Sequence, residues 1–416
     1  MRSVTRVLVA AVALAMVAVG AVGAPAQAAD SIVIWVDPGH GQAIKELLPD
    51  GYKGTPVEIV EKGADVLRAD LAGAGRREAP DVIWGDLAWT GELAGAGLLA
   101  PVTLKKKTRT LFRDNVLTGS VVQGEQYGLP VQISNLALIT NTKLVPTQPR
   151  TFAELSALAL KLAKKRKNVT VPFALAQGEG TSPWTTYPMF SGLGGYLFAR
   201  SSDGSLNLGD VGLASKELRA NAGQIDEWNA SGLISSKLTA EEARNAFATG
   251  QSPFWLAGPE NLQDLLDLTF SYRIGALPPM KAGIKPVPLL TVQGFMITSF
   301  ADKHGVLDMA SELVGTYFAR EKAQQKLAAV SGLFPANTKA ADDVTTGGGR
   351  VRAIGNAGVN GVTMPNAPQA AVLWGPYAEA WTASTKGKNA TPAKKAFRAA
   401  QKTAMAGLKS GDVPTG

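Results

Sequence analysis

The chain has 416 residues, no cysteine, two histidines, and 42 Lys+Arg against 34 Asp+Glu, for a formal charge of +8. Without thiols there is no disulfide, no thiolate metal site and no lipid anchor on a cysteine, so stability must come from a large apolar core. His40 and His304 alone do not provide a zinc site or a His-dependent nucleophile, and no metal or cofactor is expected. The positive charge raises nucleic-acid binding as a possibility. The basic runs 105–107 and 164–167 carry no interleaved aromatics, however, and read as solvated loops or helix ends.

Residues 1–29 read as a secretory signal peptide. Arg2 and Arg6 precede an apolar run from Val7 to Val22, and Ala26-Gln27-Ala28 is a small-x-small cleavage site. Removing it leaves about +6 and a soluble, exported chain long enough for two lobes. Ser31-Ile32-Val33-Ile34-Trp35-Val36 reads as a buried strand that stops at a turn, Asp37-Pro38-Gly39. Further strands are expected at 55–60 and 81–84, with helical patterns at 42–48, 64–74 and 89–96 between them.

Thr151 and Thr239 open capping boxes, the second on a helix that should stop at Gly250. Strands follow at 252–256 and 295–298, then a helix over 307–319. Trp35 and Trp255 lie inside strands and read as core. The turns at 37–41, 85–89, 132–135 and 258–261 follow strand ends, where open parallel sheets collect ligands. Each offers backbone donors and small polar side chains to an uncharged hydroxylated ligand.

Near the C-terminus, Pro365 and Pro368 make 364–368 a stiff lead-in, and a helix starting after Pro368 carries Trp374 in its first two turns. The stretch fits either a Pro-rich loop with a core tryptophan or a surface on which a C–H-rich ligand stacks. No Gly-x-Ser-x-Gly elbow, His-Glu-x-x-His pair or phosphate loop is present. Catalysis would need a carboxylate pair such as Asp86 with Glu260, and the chain is not expected to be an enzyme. Asp86 and Glu260 fit helix caps equally well, Asp37 a turn-fixing residue, and His40 a polar loop residue.

The mature chain resembles the extracellular solute-binding proteins of ABC importers, specifically the maltose/maltodextrin-binding family. The landmarks run in order over nearly its whole length: Val33-Ile34-Trp35, Pro80-Asp81-Val82-Ile83, Gly128-Leu129-Pro130 before Ala137-Leu138-Ile139, Gly194-Gly195-Tyr196, Gly258-Pro259, and Met364-Pro365-Asn366-Ala367-Pro368-Gln369 with Trp374. The resemblance implies an α/β clamshell of two lobes, each a mainly parallel sheet flanked by helices, joined by about three hinge crossings. The expected lobes are 30–133 plus 288–320 and 134–287 plus 321–416. An oligosaccharide would bind between them, close the hinge, and pass to membrane permease subunits from a monomeric protein in the periplasm or at the cell surface.

The resemblance also implies a ligand set of Trp374, Trp184, Trp89, Asp86, His40, Gly39, Asp37, Gln132, Ser134, Ser182 and Glu260. Trp374 and Pro183-Trp184 match the family's stacking positions. Gly39-His40 replaces an Asp-Lys pair, Gly85 an aromatic, Ala88-Trp89 an Asp-Arg pair, Ser134 and Ser182 glutamates, and Glu260 a tryptophan. Aromatic platforms are thus retained while most charged contacts are exchanged, which points to carbohydrate more strongly than to maltose. A cationic or amino-sugar ligand is the alternative that His40, Asp86 and Glu260 leave open.

Overall fold

A computed structural model describes residues 31–178, 183–344 and 349–411. The expected signal peptide lies outside the described residues, as does Ser182. Two large apolar cores divide the chain. One is built around Ile34, Trp84, Phe295 and Phe318, the other around Phe152, Phe190, Tyr377 and Phe397. A smaller cluster around Phe247 and Trp255 extends the second. Trp35 and Trp255 are both buried, as their place in apolar strands requires.

The first lobe is a sheet in which Ile32–Val36 runs parallel to Val57–Glu61 and to Val82–Asp86. Beyond these three strands most pairings are antiparallel, although Val362–Thr363 lies parallel to Leu289–Thr298. Leu289–Thr298 pairs antiparallel with both Val82–Asp86 and Leu129–Ser134. It arrives from the second lobe, entering the sheet at the edge where Val82–Asp86 ends, so it must run the opposite way. In the second lobe, Ala137–Asn141 starts at the crossing and is flanked antiparallel by Phe254–Ala257 and Tyr272–Gly275, which run back towards it.

Among the described residues the chain changes core three times: between Ile133 and Leu136, between Leu289 and Leu290, and between Ala336 and Val362. Past the expected boundary at 320, the chain still contributes to the first core. Ala323, Leu327 and Ala336 pack in the first core, because the helix Glu321–Ser331 lies there and Phe334–Pro335 adds a strand to Leu129–Ser134. Behind the crossings, Arg200 of the second lobe donates to the Thr118 carbonyl at 3.1 Å, the Gly204 carbonyl at 2.7 Å and the Thr363 hydroxyl at 2.7 Å.

Local signals are obeyed where they are self-contained. Thr239 caps Ala240–Ala248 with the full reciprocal capping box, and Gly250 follows with φ +72. Thr151 caps Phe152–Lys165, although Glu154 bonds the Arg150 N–H rather than that of Thr151. Residues 307–319 open as an α-helix, Leu307–Glu312, and then widen into a π-helical turn, Leu313–Tyr317.

Candidate ligand cleft

Strand direction sets one wall of the cleft. Ile32–Val36, Val82–Asp86 and Leu129–Ser134 point the same way, so Asp37, Asp86 and Ser134 emerge on one edge of the first sheet. The register fixes the second wall beside it. Ala257 pairs with Ala137, so the 3-10 turn Pro259–Asn261 begins next to the crossing that follows Ser134. Ala174 bridges parallel to Trp255, which sends residues 175–178 towards the same edge, and the Thr185 hydroxyl donates to the Ala176 carbonyl at 2.7 Å, which holds the turn carrying Trp184 beside them.

On the first wall, the Asp86 carboxylate accepts from the Ala88 N–H at 2.9 Å and caps the 3-10 turn Leu87–Trp89. Among the described residues, that half-buried carboxylate makes no ion pair. Burial lifts its pKa to about 6, against the lowering effect of the Ala88 N–H. The Trp89 indole folds back over Gly85: a Cβ there would come within 2.1 Å of the ring. The missing side chain at 85 is therefore the space that the displaced indole occupies. The Arg68 guanidinium stands 5.9 Å from the Trp89 ring centre.

The 364–368 segment links the two walls. The Asn366 amide is 3% exposed and donates to the Thr90 hydroxyl at 3.1 Å and the Val121 carbonyl at 3.0 Å. Gly91 permits the approach, since a Cβ there would lie 1.8 Å from the Asn366 carbonyl oxygen. Pro368–Ala370 forms a 3-10 turn, and Ala371–Ser384 continues as a helix that holds Trp374 half-buried near its start. Trp374 meets Tyr377 edge-on at 6.4 Å, and the Tyr377 hydroxyl bonds Thr186 at 2.8 Å. Thr186 closes the turn Pro183–Thr186 that carries Trp184, so a single buried contact spaces the two indoles. Burial drives the Tyr377 pKa far upwards, keeping that hydroxyl neutral.

Glu260 is exposed as a residue, yet its carboxyl is desolvated. This raises its pKa against the opposing N–H groups of Glu260 and Gly258. Among the described residues it makes no ion pair. Ser134 is half-buried, paired across from Thr291 at the crossing.

Three expected positions are drawn into the protein. Asp37 is the N-cap of Pro38–Leu47 and holds the His40 Nδ1 at 2.7 Å, so the expected turn is the first turn of a helix. Burial raises the Asp37 pKa, but the hydrogen bond and charge of His40 and two backbone N–H groups outweigh it, and the net shift is downwards. His40 is 3% exposed and stacks on Trp84 at 4.1 Å, because a flat ring has a flat partner beneath it there. Gly39 stays exposed in that helical turn. Gln132 is fully buried: its amide donates to Gln293 at 2.5 Å and accepts from Ser331 at 2.6 Å. Asn366, Gln293, Thr186 and Tyr377 were missed. A polar residue inside an apolar run, as at Gln293, was the readable signal for that one.

These features define a two-lobed α/β protein in which Trp89 packs half-buried against the first core and Trp184 and Trp374 half-buried against the second. The chain belongs to the bacterial extracellular solute-binding protein family, which it matches over residues 45–347. It is 25% identical over 421 residues to a galactooligosaccharide-binding protein of Bacillus subtilis, covering 97% of this chain and 96% of that protein. It is also 25% identical to a maltooligosaccharide ABC transporter solute-binding lipoprotein of Streptococcus pneumoniae, covering 83% and 81%. Its fold matches an extracellular solute-binding protein of Staphylococcus aureus solved with maltose, with a TM-score of 0.78, 22% identity and coverage of 92% and 99%. A cyclo/maltodextrin-binding protein solved with maltotetraose matches with a TM-score of 0.77, 21% identity and coverage of 92% and 98%.

Proposed function

We propose that this chain is the exported ligand-capturing component of an ABC sugar importer. It binds an oligosaccharide between its lobes and delivers it to membrane permease subunits. The observation that carries this reading is the pair of half-buried indoles, Trp374 and Trp184, spaced by the Tyr377–Thr186 bond at the inter-lobe edge. Aromatic faces suit the C–H faces of pyranose rings, and short polar groups suit hydroxyls. Trp374, Trp184 and Trp89 are the proposed stacking surfaces. Asp86, Glu260 and Ser134 are the proposed acceptors for hydroxyls, and Ser182 remains a candidate from the family pattern. Residues 31–134 with 290–337, and 135–289 with 350–411, are proposed to close as two bodies, with ligand selecting the closed form.

Titration calorimetry against malto- and galacto-oligosaccharides of several lengths tests this. Micromolar or tighter binding of one series is expected, and silence across both panels would sink the sugar assignment. A second reading, an amino-sugar or other cationic ligand, is favoured by the unpaired carboxylates Asp86 and Glu260. It requires affinity that falls steeply with salt, whereas a neutral sugar does not. No release of reducing ends from any bound oligosaccharide is expected, since the proposed role is binding without turnover.

A further inference from the structure

The C-terminal helix Ala393–Ser410 has an uneven surface that ligand binding does not use. Its apolar side, with Ala393, Ala396, Phe397, Ala400 and Ala404, is buried in the second core. At about 100° per residue, Lys394, Lys395, Arg398, Lys402 and Lys409 all fall within an arc of roughly 100° on the exposed side. The stripe is about 22 Å long at roughly 1.5 Å per residue. The helix contains no Asp or Glu. Acidic residues on the elements packed against it, Glu379 of Ala371–Ser384, Asp226 and Glu227 of Gly223–Ala230 and Asp210 of Leu206–Gly212, which accepts from the Tyr196 hydroxyl at 2.7 Å, form no ion pair with the stripe among the described residues. Asp226 instead accepts from the Ala393 N–H at 2.8 Å. Exposed Lys386 and Lys388 extend the positive surface beyond the helix start.

We propose that this stripe docks the protein on a membrane surface rich in anionic lipid. A straight row of unpaired cations on one rigid helix matches a plane of negative headgroups; Ala399, Thr403 and Ala406 beside it are too small to insert, and Met405, within the same arc, is half-buried against the second core. The proposal goes beyond the ligand reading and stands whether or not the cleft binds sugar.

The test is co-sedimentation of the full exported chain with vesicles of phosphatidylcholine alone and with about 30% phosphatidylglycerol. Binding is expected only to the anionic vesicles and should be abolished near 1 M salt, where the Debye length is roughly 3 Å. Changing Lys394, Lys395, Arg398, Lys402 and Lys409 together to Gln should weaken binding about a hundredfold, as roughly three of them reach the surface at once. The matched control changes exposed Lys161, Lys164, Lys165, Arg166 and Lys167 to Gln, which removes the same charge from another helix end and should leave binding within about threefold. Equal losses in the two variants, with both melting as wild type, would mean that diffuse charge does the work and overturn the proposal. So would salt-insensitive binding, or binding of poly(glycerol phosphate) without binding to anionic vesicles, which would make a wall polymer the partner.

Discussion

Replacing Asp86 with Asn should make the protein more stable while weakening its cleft. In the folded state the carboxyl titrates at about 6 rather than its ordinary 3.8, because it is desolvated without a cationic partner. A raised carboxyl pKa means that the folded chain holds a proton the unfolded chain has released. Stability therefore falls as pH rises from about 4 to about 6 and stays lower above that range. The full difference corresponds to about 3 kcal/mol, and the partial contact of the side chain with water reduces this to about 1–2 kcal/mol. Asn keeps an oxygen that can accept from the Ala88 N–H, so the cap survives. Urea unfolding at pH 4.5 and 7.5 measures the effect. Wild type should lose stability relative to Asp86→Asn across that interval, and the variant should be the more stable at pH 7.5. An equal or lower stability at pH 7.5 would show that the carboxylate has a partner or is hydrated, and would refute the reasoning. Calorimetry on the same variant separates the two ligand classes, because losing the charge costs a cationic ligand far more than a neutral one.

Trp374→Ala should weaken sugar binding by about 50-fold, from roughly 100 Å² of lost apolar contact at about 25 cal/mol per Å². Unchanged calorimetric affinity with a lowered melting temperature would make it a core residue. Asn366→Ala strands the Val121 carbonyl and should cost about 1–3 kcal/mol in denaturant unfolding, and hydrogen exchange should rise at the 119–122 segment. Gly85→Ala should displace the Trp89 indole, costing about 1–3 kcal/mol from overpacking and reproducing any binding loss of Trp89→Ala. Thr239→Ala removes a full capping box and should cost about 1 kcal/mol in the same unfolding assay, with ligand affinity unchanged.

Features carried by a few adjacent residues were readable from the sequence alone. The Thr239 cap, the apolar strand at Ile32–Val36, the stiff segment before Trp374 and the order of the family landmarks needed no tertiary information, because capping, periodicity and proline geometry act locally. Strand direction was not local. Leu289–Thr298 runs antiparallel only because it comes from the other lobe, which no residue within it records. Residues 321–336 joined the first lobe through packing against surfaces remote in sequence. The same holds for the site. His40 and Gln132 look available as residue types, yet Trp84 and Gln293 take them into the interior. Asp86 looks like an ordinary surface carboxylate, and only its desolvation without a partner sets it apart. Sequence therefore determined which residue types carry the proposed chemistry. Tertiary structure decided which of them are buried and partnered, because solvation and hydrogen-bond partners come from neighbours hundreds of residues away.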